Sequence, residues 1–253
     1  MIIPLKGNKI EKVGNKAAGL NRLIALGLTV PQAWAVQWNY SVTDEDIQSL
    51  PEDKLYAVRS SSDLEDSNQN SAAGIFDSYL GIKHSELLKY IQLVRESKNS
   101  EKCKHYCLAK GIPHKNVNVG VVIQEMVPSE KSGIAFTKHP LTKEEHLAYI
   151  EAVEGLGELA VSGEVVTDKY VFDKNSKKIE KTVGVQHKRM ILTPQGAKNE
   201  FIYSRMQKLT DDEILQLANT VQEISEKFSQ HCDIEWAFHN GKLFILQSRP
   251  ITD

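Results

Sequence analysis

Residues 231–253 read HCDIEWAFHNGKLFILQSRPITD. Two apolar runs flank Asn240–Gly241, and Asn-Gly between such runs is a strong hairpin signal. Alternate side chains of a strand share a face. Asp233 and Glu235 therefore point together, and so do Gln247 and Arg249. Two carboxylates, an amide oxygen and a guanidinium on one sheet face suit a metal-bound phosphate. The plainer reading is a hairpin edge with its charges in solvent. A plain two-residue turn pairs Glu235 with Leu246 and sends Gln247 to the opposite face. A β-bulge or a longer loop restores the shared face, and that register is the expectation.

The totals exclude several classes of protein. The chain has 253 residues, 41% hydrophobic and 25% charged, an ordinary soluble composition of a length for one large domain or two lobes. A formal net charge of -2 gives no bulk argument for a nucleic-acid or membrane partner. No apolar run is long enough to span a bilayer, and the opening MIIPLKGNKIEKVGNKAAG lacks the apolar core of a signal peptide. The 3 cysteines do not form a secreted disulfide framework. A cytoplasmic protein is expected; these patterns are silent on oligomeric state.

Upstream, Lys16, Ala17, Leu20, Leu23, Ile24 and Leu26 space a helix that stops at Gly27. Lys16 falls in its first turn, where free N–H groups also lie, so it is either a phosphate holder or a solvated lysine. Leu55–Ser62 reads as a buried strand entering a polar loop, with Arg59 a phosphate grip or a salt-bridge partner and three serines as hydroxyl donors. Residues 63–84 read as a loop with small residues around Gly74. Ser85 is placed as the cap of the helix that follows. Cys103, His105 and Cys107 read as helical surface and core rather than a zinc site, because no matching pair follows. Strands are expected over 117–127, 132–137 and 147–152, a flexible glycine-rich stretch over 154–164, and a hairpin around Asn175. Residues 186–208 read as polar connector. Thr210 and Glu213 then open a capped amphipathic helix. The order is α+β rather than Rossmann. The division expected is 1–115 and 116–253, with a hinge near 124–128.

Phosphoryl transfer needs cations against phosphate oxygens, carboxylates for magnesium and a slot for the base. Lys16, Arg59 and Arg249 supply cations; Glu235, helped by Gln247, is the leading magnesium ligand; Asp233 is a second ligand or orients an acceptor. Residues 124–127 offer backbone groups at a strand end. The stretches VGNKAAGLNRL, YAVRSSSDLED, AAGIFDSYLG, VVIQEMVPSEKSGIAFTKHP, IEAVEGLGELAVSGEVVTDKYVF and DIEWAFHNGKLFILQSRPIT, in that order, resemble the N-terminal nucleotide-binding domain of pyruvate phosphate dikinase and phosphoenolpyruvate synthase. The rifampin phosphotransferases carry a similar domain.

The resemblance implies an ATP-grasp fold, in which two lobes clasp ATP. It casts Lys16 and Arg59 as the phosphate pair, and Gly74 to Ser78 as the glycine-rich loop over the phosphates. Gln124, Glu125, Met126 and Val127 become the adenine hinge. Asp233, Glu235 and Gln247 become the metal and catalytic face, and Arg249 a transition-state cation. ATP and Mg2+ are the cofactors it implies. Three departures accompany it: Gly14-Asn15 stands for a double glycine, the span from Pro31 to Leu55 is short, and AAGIFDSYL lacks a glutamine. No histidine sits in an obvious carrier motif, and His187 and His231 read as structural or solvent-facing. The expectation is an ATP-dependent phosphotransferase, kinase or dikinase-like, acting on a small molecule or on a histidine of a separate phosphohistidine carrier. The alternatives are a ligase that makes an acyl phosphate and a non-catalytic ATP-binding module.

Overall fold

The computed structural model describes residues 1–64 and 74–251. Residues 65–73, which belong to the expected glycine loop, and residues 252 and 253 lie outside the described residues. The chain divides into two compact units, one built on Met1–Met126 with Thr193–Gly196, the other on Val127–Leu192 with Ala197–Ile251.

The first unit contains β1 (Ile2–Pro4), α1 (Asn15–Ala25), β2 (Ala33–Val36), α2 (Asp44–Gln48), β3 (Leu55–Ser62), β4 (Ser78–Lys83), α3 (Leu87–Glu96), α4 (Glu101–Lys110) and β5 (Val119–Glu125). Its sheet runs β1-β2-β5-β3-β4, each neighbour antiparallel. Strand β5 lies between β2 and β3, so a boundary at 115/116 separates it from the strands that satisfy its backbone. One sheet face is apolar: Trp34, Val36, Tyr56, Val58, Val121 and Ile123 pack with Leu87, Ile91 and Val94 of α3 and with Cys103 and Cys107 of α4. Burial pushes the Cys103 thiol up to about 11, which makes it a core group rather than a nucleophile. Two expectations fail here. Ser78–Lys83 is a strand, paired with β3, and not part of a loop. The residue capping α3 is Glu86, without a side-chain bond, and not Ser85.

The second unit contains β6 (Lys131–Phe136), β7 (Leu147–Glu154), α5 (Glu158–Val161), β8 (Asp168–Asp173), β9 (Ile179–Thr182), β10 (Gln186–Thr193), β11 (Gly196–Ser204), α6 (Asp211–Phe228), β12 (Cys232–His239) and β13 (Lys242–Pro250). Its larger sheet runs β13-β12-β6-β7-β8-β9, again antiparallel throughout. Helix α6 begins in the expected capping box of Thr210 and Glu213. It buries Ile214, Leu217, Ala218, Val221 and Ile224, each worth about 1.5–3 kcal/mol relative to exposure for the larger ones. Lys131 ties this helix to the sheet, its Nζ donating to Glu213 at 2.7 Å and 2.8 Å. Lys131 lies opposite Phe238, so α6 covers the face that carries Ile234, Trp236 and Phe238. The other face carries Asp233 and Glu235.

Two stretches of this unit differ from the sequence reading. Residues 186–204 hold the ribbon β10–β11 rather than connector. The glycine-rich stretch is ordered by Gly155, whose backbone bridges Met190, and by the short helix α5. A Cβ on Gly155 would stand 2.2 Å from the Met190 carbonyl oxygen, so glycine there serves close approach of two backbones. Among the described residues, no helix is long and apolar enough to cross a membrane.

Candidate functional site

The β12–β13 hairpin turns through Asn240 (φ 50) and Gly241 (φ 71), between the paired residues His239 and Lys242. Two successive positive φ values match the type I′ turn that Asn-Gly favours. Such a turn alone would leave Glu235 opposite Leu246. Instead the pairing shifts between Glu235 and Trp236: Trp236 faces Ile245, while Glu235 faces Gln247 and Asp233 faces Arg249. Leu246 is the extra residue of a β-bulge, and it gives the shared face the sequence reading required. Directly opposed side chains have Cβ atoms about 4.5–5.5 Å apart.

Along this face Gln247 is buried, Glu235 half-buried and Asp233 buried. The Arg249 guanidinium is braced by Asp233, with Nε at 2.7 Å and Nη2 at 2.5 Å from Oδ2. That bond holds Arg249 in place. It also commits one oxygen of Asp233, which makes Asp233 a brace for a cation more readily than a second metal ligand. The pairing was within reach of the sequence, because residues 233 and 249 follow from the same register as 235 and 247.

Glu235 and Gln247 supply oxygen donors of the hardness magnesium takes. Magnesium is usually held by one or two carboxylates with substrate phosphates and water, rather than by an all-protein cage. Among the described residues no group of three or more His, Cys, Asp or Glu side chains has metal-holding geometry.

In the first unit the other candidates gather on the face opposite the apolar core. The Ser61 hydroxyl accepts the Ala17 N–H at 3.0 Å, which anchors the start of α1 on β3. Gly14, at φ 79, makes that approach possible: a Cβ would stand 2.1 Å from the Ser61 carbonyl oxygen. Gly120 of β5 does the same beneath Val13, 2.7 Å from its carbonyl oxygen. Arg59 is two residues from Ser61 and shares its face; it lies opposite Val122 and Ser78. Gln124 lies opposite Ala57 on that same face. Lys16 is buried in the first turn of α1. The register therefore brings Arg59, Ser78 and Gln124 to the side where α1 and Lys16 lie.

The remaining candidates divide differently. Glu125 alternates away from Gln124 and lies opposite Tyr56. Burial raises its carboxyl, aided by Asp53 and opposed by Lys54. The N–H groups of Glu125 and Met126 donate to Gln32 O and Leu55 O, both at 2.8 Å, so these two amides are committed to the fold. Val127, buried, belongs to the second unit. Gly74, at φ +73, has open space around it. Of the serine run, the Ser61 hydroxyl accepts the Ala17 N–H of α1 and the Ser62 hydroxyl accepts the Leu64 N–H at 3.2 Å. His187 is exposed, and His231 sits between Thr137 (3.1 Å) and Glu145 (3.3 Å).

A sheet face with a carboxylate set against an amide oxygen, beside a braced guanidinium, is suited to a nucleotide phosphate with its divalent ion. The chain belongs to the family described as pyruvate phosphate dikinase, AMP/ATP-binding domain, which matches residues 40–253. Lys16 lies ahead of that span. Among its relatives are a probable phosphoenolpyruvate synthase of Archaeoglobus fulgidus, 39% identical over 78% of this chain and 27% of that protein, and one of Pyrococcus horikoshii, 36% identical over 81% and 27%. A rifampicin phosphotransferase of Bacillus cereus is 36% identical over 79% of this chain and 24% of its own length. The chain thus spans about a quarter of these curated relatives. Against solved structures, the D-alanine–D-alanine ligase of Bacillus anthracis aligns at a TM-score of 0.46 with 9% identity, covering 95% of this chain and 57% of the other, too low to carry the fold by itself.

Proposed function

We propose that the chain is an ATP-dependent phosphotransferase of ATP-grasp type, passing a phosphoryl group from ATP to a small molecule or to a histidine on a separate carrier. The observation that carries this reading is the bulged register that sets Glu235 opposite Gln247, in a chain of a nucleotide-binding family. Glu235 and Gln247 would hold magnesium, which when bound neutralises charge on the phosphates. Arg249, steadied by Asp233, holds a positive fork toward the group in transfer, where a fixed cation is worth more than a mobile one. Lys16 and Arg59 hold phosphate oxygens, and Gly74 to Ser78 cover them. Gln124 to Val127 receive the base, with the amides of Glu125 and Met126 already engaged.

The test is to incubate the protein with labelled ATP, magnesium and a cell extract, and to resolve both the nucleotide products and the labelled acceptors. AMP with phosphate marks dikinase chemistry, ADP a kinase, and an amine-dependent coupled product a ligase. Glu235→Gln should keep part of its ATP binding and lose transfer by at least about a hundredfold, the scale of several kcal/mol from a lost metal contact. Unchanged transfer would remove Glu235 from this role.

A further inference from the structure

We propose that the half-exposed rings of Phe136, Tyr149 and His139 form the seat of the phosphoryl acceptor and select one that presents a flat unsaturated ring. This rests on the reading of the Glu235–Gln247 face given above.

Phe136 lies opposite Asp233 on one side and Tyr149 on the other. The row Arg249, Asp233, Phe136, Tyr149 therefore crosses four strands directly beside the row Gln247, Glu235, Ile134, Glu151. The Phe136 and Tyr149 ring centres are 6.1 Å apart, and the His139 ring meets Tyr149 edge-on at 5.1 Å and 74°. None of the three is buried.

Two of the rings are fixed by hydrogen bonds. The Tyr149 hydroxyl donates to Glu151 Oε1 at 3.1 Å, and the second oxygen of Glu151 accepts from the Thr167 hydroxyl at 2.8 Å. His139 Nδ1 accepts the N–H groups of Leu141 at 3.3 Å and Thr142 at 3.1 Å. Rings already ordered lose little further freedom when a ligand docks. They offer π surfaces, in the same row as the Arg249 guanidinium. A planar partner gains offset or edge contacts there that an aliphatic one does not.

Saturation-transfer NMR on the full chain, with phenol and indole as ring probes and acetate and glycerol as controls, tests the seat without nucleotide. The ring probes should bind and the controls should not. Tyr149→Ala and His139→Ala should each weaken phenol about three- to tenfold, the size of one aromatic contact. Tyr149→Phe, which keeps the ring, should preserve it and guards against misfolding. Phenol no better than glycerol, or Tyr149→Ala without effect, would overturn the seat. In the labelled-ATP assay saturating phenol should compete with acceptor labelling; labelling indifferent to phenol would overturn its assignment to the acceptor. A chain that binds phenol but never turns over ATP counts against the phosphotransferase reading alone.

Discussion

In the first unit Arg59 owes its surroundings to backbone contact. Gly14 and Gly120 let the chain before α1 lie against β3 and β5, and the Ser61 hydroxyl takes the Ala17 N–H. In the second unit Glu235 owes its partner to counting: β13 carries one residue more than β12 between the turn and the pair. Removing a methyl-sized gap breaks the first arrangement, while removing one residue breaks the second. The two candidate surfaces are thus exposed to different kinds of damage.

The largest stability effect should come from Gly14→Ala. It puts a Cβ 2.1 Å from the Ser61 carbonyl oxygen at a φ of 79, and chemical denaturation should show a loss of about 2–4 kcal/mol. A loss below about 0.5 kcal/mol, the range of a neutral surface change, would mean the backbones do not meet. Arg59→Ala should leave the fold intact and weaken ATP about 10- to 100-fold by calorimetry, the value of a charge-assisted bond; an unaltered Kd would take Arg59 away from the phosphates. Ser61→Ala should cost about 1 kcal/mol, as a lost helix cap does.

The smallest effect concerns acid stability in the second unit. Burial alone would raise the Glu213 carboxyl; the Lys131 ammonium and the Thr210 N–H outweigh it and hold it below the ordinary range. A carboxyl lowered in the folded state gives stability above its unfolded pKa, about 4.3, and loses it as pH falls through the folded value. Urea midpoints of the parent and Lys131→Met should therefore converge on acidification. A gap constant from neutral to acid pH would show that the pair does not titrate with folding.

Much of this was legible in the sequence, for identifiable reasons. The capping box at Thr210, the helix end at Gly27 and the Asn-Gly turn depend on a few neighbouring residues, and local chemistry can be read locally. The bulge was inferable because function needed Gln247 and Glu235 on one face. The ribbon β10–β11 was hidden because its apolar residues fall in runs, Met190 to Leu192 and Phe201 to Tyr203, and do not alternate with polar ones. The roles of Gly14, Gly120 and Ser61 were hidden because each answers to a chain segment distant in sequence. Phe136 and His139 are near neighbours in sequence, but Tyr149 reaches them only through the pairing of β6 with β7.

The bulge itself can be removed. Deleting Leu246 should return the hairpin to a plain register and turn Gln247 away from Glu235, while Leu246→Ala keeps the count. The measurement is ATP affinity with and without magnesium, by calorimetry, on the parent and both variants. Magnesium should tighten ATP for the parent and Leu246→Ala and have no effect on the deletion. A deletion variant that folds and retains the full magnesium effect would contradict the assignment of Glu235 and Gln247.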